Sequence, residues 1–291
     1  MSIAAALPTR RTEAWKYSDL RAALGDQPLA LREGRDIIEQ LAPRTEAAEL
    51  APGESRLVVE RLHSQGPVSA SASEWRLAEG AALTRVVIQR GSTPVLSVAR
   101  IHLAKGATFR QFVLAEGASL ARIETNVRVA GENAHVELNG AYLAAAGRHA
   151  DLTSTIEHAA PGAETRQLIK GVARKGGRGV FQGKIVVDRA AQKTDARQYH
   201  HGMLLEDGAE VFAKPELMIY ADDVQCAHGN TAGGLDERAL FYMRSRGIPE
   251  AEARALLIES FLAETVPEQL PDDLREELTG RMRTWLRGEA A

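Results

Sequence analysis

Residues 116–143, EGASLARIETNVRVAGENAHVELNGAYL, read as corner, strand, corner, strand. Glu116-Gly117-Ala118 and Gly131-Glu132-Asn133-Ala134 have the chemistry of tight corners, where glycine supplies the positive φ that other side chains resist. Between and after them, Leu120–Val129 and Val136–Leu143 carry the branched and aromatic residues that suit a pleated surface. No helical spacing separates the two runs, which argues against strand–helix–strand units.

The same unit repeats in both directions. Glu79-Gly80-Ala81, Lys105-Gly106-Ala107, Pro161-Gly162-Ala163 and Asp207-Gly208-Ala209 share the corner form, and Lys175-Gly176-Gly177 is a looser version. Leu83–Ile88, Phe109–Leu114 and Val180–Val187 follow such corners as strands. Val86-Val87-Ile88 and Ile185-Val186-Val187 show little polar alternation, as expected of strands covered on both faces or stacked in a solenoid. The class is mainly β. The corners are quasi-regular and not strictly periodic, so spacing leaves a β-sandwich or barrel and a stacked β-helix equally open.

Both ends differ in texture. Residues 1–52 read as a partly helical arm, with Ser18 or Asp19 capping a short helix through Leu24 that Gly25 ends, and a second helical stretch at Asp36–Leu41. Trp15 and Tyr17 are placed to pack this arm onto the body. Pro43, Pro52 and Gly53 mark the boundary to a β core at 53–235. Residues 236–291 turn helical. Asp236 caps a helix carrying Leu240, Phe241 and Met243, and Pro249 opens a second in which Ala253, Leu256, Leu257, Ser260 and Phe261 share a face. Asp272 or Asp273 starts a third, with Leu274, Leu278, Met282 and Trp285 on a stripe.

Composition narrows the function. The 291 residues have a formal net charge of -3 and 5% aromatic residues, so neither a basic field nor a stacking platform for nucleic acid is present. The single cysteine, Cys226, excludes an intrachain disulfide and fits a reducing compartment. The apolar start is too short for a secretion signal and no run is long enough for a membrane span, so the expectation is cytoplasmic.

The chemistry-bearing stretch is 214–236, KPELMIYADDVQCAHGNTAGGLD. If residues 222–228 are extended, Asp222, Val224, Cys226 and His228 share one face. A thiol and an imidazole are ligands for zinc, copper or iron–sulfur chemistry. Two ligands do not complete a site that needs about four. Other side chains converge on the pair, a second chain supplies the rest, or the pair is inert. Of His200-His201, only one can join that face, and Asp222-Asp223 suit a turn. Arg174–Gly179 lacks the ending and the strand-to-helix setting of a phosphate loop and reads as a solvated basic turn. No spacing marks a nucleophilic triad.

Residues 214–264, KPELMIYADDVQCAHGNTAGGLDERALFYMRSRGIPEAEARALLIESFLAE, strongly resemble the SufB/SufD family of iron–sulfur cluster assembly subunits, and its SufD-like branch in particular. Residues 8–20, PTRRTEAWKYSDL, resemble that branch's N-terminal signature. The resemblance implies a right-handed parallel β-helix flanked by helical segments. It implies a scaffold without catalysis of its own in a SufBCD complex, pairing with SufB and docking the ATPase SufC, where ATP acts. On it, Cys226 and His228 lie at the SufB interface and hold a transient cluster shared with the partner. Leu240, Phe241, Ala253, Leu256, Leu257 and Phe261 fall in the SufC-docking helices. No tightly bound cofactor is implied for the chain alone; a flavin in the complex is left open, and the isolated chain is expected to be able to form a homodimer. Met218 stands where the family more often has Glu, Gly229-Asn230-Thr231-Ala232-Gly233-Gly234 replaces the commoner Gly-Ala-Thr-Val-Gly, and the His200-His201 pair is not a general family feature. Two other classes stand beside this one: a polysaccharide-active β-helix enzyme of the secreted type, and a homodimeric scaffold without metal chemistry.

Overall fold

A computed structural model describes residues 7–64 and 66–288; the apolar start at 1–6 and the last three residues lie outside the described residues. Seven odd-numbered strands form one sheet: β1 (Thr45–Leu50), β3 (Ser69–Leu77), β5 (Val95–Leu103), β7 (Ala121–Val129), β9 (His149–His158), β11 (Arg178–Val187) and β13 (Glu210–Ile219). Seven even-numbered strands form the other: β2 (Ser55–His63), β4 (Ala82–Arg90), β6 (Thr108–Ala115), β8 (His135–Ala144), β10 (Glu164–Ala173), β12 (Asp195–Leu204) and β14 (Gln225–Gly233). Each strand pairs in parallel with the strands two places before and after it, so the chain winds alternately through the two sheets as a β-solenoid of about six turns. The choice between sandwich and solenoid, open in the spacing, is settled by this pairing.

The irregular spacing has a local cause. Val95 sits opposite Ala121, 26 positions on, whereas Arg178 sits opposite Glu210, 32 on, because corners differ in length while strands stay in register. The corners stack: Gly80 N–H donates to Lys105 O at 2.9 Å and Gly106 N–H to Glu132 O at 2.8 Å. Gly106 takes φ 62°, but in the looser corner at 131–134 the positive φ belongs to Asn133, at 54°. Gly131 is small for a different reason, since a Cβ there would lie 2.0 Å from Lys105 N.

Both sheets are covered outside as well as inside. Val87 faces the interior with Val113 and Phe181, while Val86 and Ile88 face out under the C-terminal helices. This explains the missing alternation in that run. Those helices are α3 (Glu237–Ser245), α4 (Glu250–Ala263) and α5 (Asp272–Leu286), after the short α1 (Leu20–Leu24) and α2 (Ile37–Leu41) of the arm. Ile258 and Leu262 of α4, with Leu274, Leu278 and Met282 of α5, bury against Phe112, Leu114, Leu143 and Val172. Each such burial is worth about 2 kcal/mol. Asp19, Asp36 and Asp236 cap their helices by accepting backbone N–H bonds.

The arm docks on the outer face of the odd sheet. Leu7, Trp15, Leu20, Leu24 and Ile38 pack on Leu96, Val98 and Leu120. Arg122 lies over the Trp15 ring at 4.2 Å, and Tyr17 stacks on Phe212 at 5.4 Å. Strand β1 begins at Thr45, so the β body starts inside the stretch that sequence texture gave to the arm. Its Thr-Glu-Ala-Ala-Glu-Leu composition carries little of the β-branched signal on which that boundary rests.

Candidate functional site at the last coil

Parallel pairing gives every interior residue a partner one coil below. Cys226 pairs with Ala196, His228 with Gln198 and Asn230 with His200, and all three partners are fully buried interior residues. Cys226, His228 and Asn230 therefore lie on the interior-facing side of β14. The thiol and the imidazole share a face, as alternation requires. Asp222 does not join them; it lies in the bend before the strand, while Asp223 pairs with Lys193 and bonds Gln192 in the corner.

This interior face has no coil above it. β14 is hydrogen-bonded only to β12 and β13 only to β11, so both strands end their sheets with an unpaired edge. Ile219 occupies an interior register position, opposite Val187, yet is 42% exposed. Cys226 is half-buried against Val224 and Leu217, and His228 is exposed. Met218, on the outer side of β13 by alternation, and Tyr220 just beyond the strand are exposed as well. The pair is thus neither sealed in the core nor loose on a convex surface. It occupies a flat, partly apolar end face.

Burial pushes the Cys226 thiol above its ordinary pKa; the Asp195 carboxylate adds to this, against a backbone hydrogen bond at Ala196. The group is a neutral thiol near pH 7 until a cation displaces its proton. Among the described residues no cluster of three or more His, Cys, Asp or Glu side chains is arranged to hold a metal ion. The chain offers two donors, and further ligands are not gathered around them.

Behind His228 runs a column of interior polar groups. Arg85, Gln111, Leu138, Gln167, Gln198 and His228 occupy one register line across the even sheet. Arg85, fully buried, makes a two-pronged ion pair with Glu60 at 2.7 and 2.6 Å and donates to Gln111. Gln198 donates to Gly183 O at 3.2 Å, and its buried Oε1 has no partner. Sequence reading missed this column, because its members lie about one coil apart and share no local motif. Of the two histidines, His200 faces the interior and bonds Asn230, while His201 faces out and bonds Thr231 at 2.7 Å.

The helical surface is narrower than the sequence stripe suggests. Leu240 and Ala253 are buried, so their side chains do not reach a docking face. Phe261 is half-buried beneath Lys170, whose ammonium sits 4.5 Å from the ring centre. Leu257 is half-buried, while Phe241, Leu256 and the overlooked Tyr242 are 73%, 44% and 59% exposed. Apolar and charged residues are spread round α4 without a sharp stripe, so periodicity could not say which side faces in. The Arg174–Gly179 turn is a strand–strand corner. Arg174 is engaged there, donating to Leu286 O at 2.6 Å and covering Trp285.

Ser18, His149 and Asp151 meet beneath the arm, but not as a catalytic triad. The buried Ser18 hydroxyl donates to Asp151 at 2.5 Å, with His149 Nε2 at 3.1 Å. The nucleophile is thus bonded to the acid directly and sealed from substrate. Among the described residues no helix is long and apolar enough to cross a membrane.

Comparison with known proteins converges with this geometry. The model of the SUF system FeS cluster assembly SufBD core domain matches residues 45–261, beginning at the first residue of β1. The chain is similar to the iron-sulfur cluster assembly protein SufD of Escherichia coli, 35% identical over 188 residues, 65% of this chain and 44% of that protein. It is also similar to a SufBD family protein of Synechocystis, 35% identical over 213 residues, 72% of this chain and 46% of that protein. A SufBD family protein of Mycobacterium leprae is 27% identical over 297 residues, covering 94% of this chain and 74% of the relative. The chain spans about half the length of the first two.

Proposed function

The chain belongs to the SufBD core family of the SUF system for iron–sulfur cluster assembly, and from that premise we propose that it is a non-catalytic scaffold subunit that shares cluster assembly with a SufB-type partner at its last coil. The observation that carries this reading is the open interior face of β13 and β14, where Cys226 and His228 sit side by side with unpaired strand edges around them. Unpaired edges are templates for strand addition by another chain. A partner that covers this face also brings the donors the pair lacks. The cluster is cargo: iron binding displaces the Cys226 proton, the His228 imidazole supplies a second donor, and the partner completes the set.

In the assembled complex, His228→Ala is expected to lower cluster yield about tenfold, equivalent to about 1.4 kcal/mol. The measurement is iron and sulfide content after anaerobic reconstitution with the partner subunits. Because His228 is exposed, the variant should melt with the wild type. An undiminished yield removes His228 from assembly. A yield that the isolated chain matches without any partner removes the shared site and favours a second copy of the chain on the same edge.

The exposed patch of Phe241, Tyr242 and Leu256 on α3 and α4 is the proposed docking surface for a SufC-type ATPase. Leu256→Asp and Phe241→Asp are each expected to weaken ATPase capture about tenfold, or about 1.4 kcal/mol. Thermal stability should stay unchanged, since neither side chain is buried. Full capture by both folded variants would place docking elsewhere.

A further inference from the structure

Two residues beyond His228, Asn230 is held from below by a chain of buried groups. His200 is fully buried, and its ring stacks on Phe181 at 5.1 Å and 6°. His200 Nδ1 lies 2.6 Å from Asn230 Oδ1, and Nε2 lies 3.1 Å from the Tyr142 hydroxyl. Burial keeps the imidazole neutral, with its pKa pushed down to about 4, so the ring carries one N–H. An amide oxygen has no proton to give, which puts that N–H on Nδ1, donating to Asn230. Nε2 is then a bare acceptor, and the Tyr142 O–H donates to it. Tyr142 cannot drift, because its ring lies against Gly171 and Gly179; a Cβ at either would fall 1.9 and 2.0 Å from ring carbons.

This chain fixes the polarity of an exposed side chain. The Asn230 carbonyl is engaged inward, and its NH2 makes no hydrogen bond among the described residues. An amide held in this way turns its carbonyl toward the interior and leaves its NH2 as the group presented outward. Those two donors stand on the face that carries His228 and Cys226. We propose that Asn230 is a third functional group of the last-coil site, its NH2 donating to an anionic sulfur atom held beside His228, with Tyr142 and His200 as positioning residues. This rests on the assembly role proposed above. Sulfide is the anion that accompanies iron in the cargo, and N–H bonds to cluster sulfur stabilise its charge.

Asn230→Asp separates donor from prop. The aspartate keeps an acceptor for His200 Nδ1–H but offers no N–H to a ligand. Asn230 is exposed, so neither Asn230→Asp nor Asn230→Ala opens a cavity. In the complex with its partner subunits, both variants are expected to retain about tenfold less acid-labile sulfide than the wild type, with partner capture unchanged. Wild-type retention by Asn230→Asp overturns the proposal, because an acceptor alone then suffices. Loss of partner capture also overturns it, since the amide then bonds the partner chain instead of sulfur. His228→Ala, run in parallel, reports on the assembly role itself. If that variant keeps full yield the assembly reading falls, whatever the Asn230 variants do.

The positioning role has a readout independent of assembly. Asn230 is one of four asparagines, so its side-chain NH2 resonances are assignable by their loss in Asn230→Ala. His200→Phe keeps a ring on Phe181 and removes both hydrogen bonds. The Asn230 NH2 pair is expected to move to solvent-averaged positions, and sulfide retention to fall as in Asn230→Ala. Unmoved resonances in a folded His200→Phe protein overturn the positioning role.

Discussion

Between pH 6.5 and pH 4 the folded chain is expected to lose about 9 kcal/mol of stability from three histidines that burial keeps neutral. Burial holds His149, His158 and His200 neutral, each with a folded pKa of about 4 against an ordinary value of 6.5. Between those values the unfolded chain takes up protons that the folded chain refuses. The stability is therefore whole above pH 6.5 and falls as the pH drops toward 4, by about 3 kcal/mol for each group at about 1.36 kcal/mol per pKa unit. His158 shows why the refusal is strong. It occupies an interior column between Val129 and Val187, Thr165 Oγ1 lies 3.0 Å from Nε2, and buried Nδ1 has no partner. Protonation would place a charge in that apolar column.

A domain with about 5–15 kcal/mol of net stability will be close to unfolding at the bottom of this window. The carboxylate contribution falls elsewhere. Burial opposes ionisation of Glu39, but hydrogen bonds from Arg35 and Thr45 outweigh it and hold the group at about 2. Its share is present above the ordinary 4.5 and is lost only as the pH falls toward 2. The measurement is the denaturant midpoint at half-unit steps from pH 7.5 to pH 4. His158→Gln keeps a hydrogen-bonding group for Thr165 and does not titrate, so it should make the slope shallower by about a third. A slope unchanged in His158→Gln would falsify the buried-histidine origin.

Asp151→Ala is the most damaging single change we expect, at about 3–5 kcal/mol. Asp151 and Arg122 are both buried, 2.9 Å apart, and Asp151 also accepts from Ser18 and Thr153. Removing the carboxylate leaves a buried guanidinium with Glu124 as its remaining salt-bridge partner and the Ser18 hydroxyl with His149 as its remaining one. The effect should be local as well as global. Ser18 and Trp15 belong to the arm and hold it through this network, so residues 8–42 should become sensitive to protease before the solenoid unfolds. A loss below about 1 kcal/mol with the arm still protected would mean that Glu124 alone satisfies Arg122.

Much of the fold can be read directly from the residues. The glycine corners mark where strands end, and the observed strands around 83–88, 109–114, 136–143 and 180–187 differ from the readings by at most two residues at either end. Asp19, Asp36 and Asp236 announce their helices, because a capping carboxylate is a local event. Period-two alternation put Cys226 and His228 on one face. Less visible were the strands with weak β chemistry. Thr45–Leu50 and Ser69–Leu77 are rich in Ala, Ser and Glu, and neighbouring strands, more than their own propensity, hold them in the sheets. Spacing on α4 also did not tell that Ala253 would be buried and Leu256 exposed, since the helix takes its orientation from what it packs against.

The local chemistry of the chain determines where strands and corners fall, which residues alternate and which carboxylates start helices, because those choices are made over a few residues. Which strand lies beside which, and therefore which side of β14 is interior, depends on pairing across 26 to 32 positions, where corner length varies and no local rule reaches. Only that stacking decides that Cys226, His228 and Asn230 stand on the last coil, with no further strand of the described residues paired to it. The same residues one coil earlier would be sealed inside, as Ala196, Gln198 and His200 are. The stacking, more than the motif, is what leaves this end of the solenoid with unpaired strand edges beside the thiol and the imidazole.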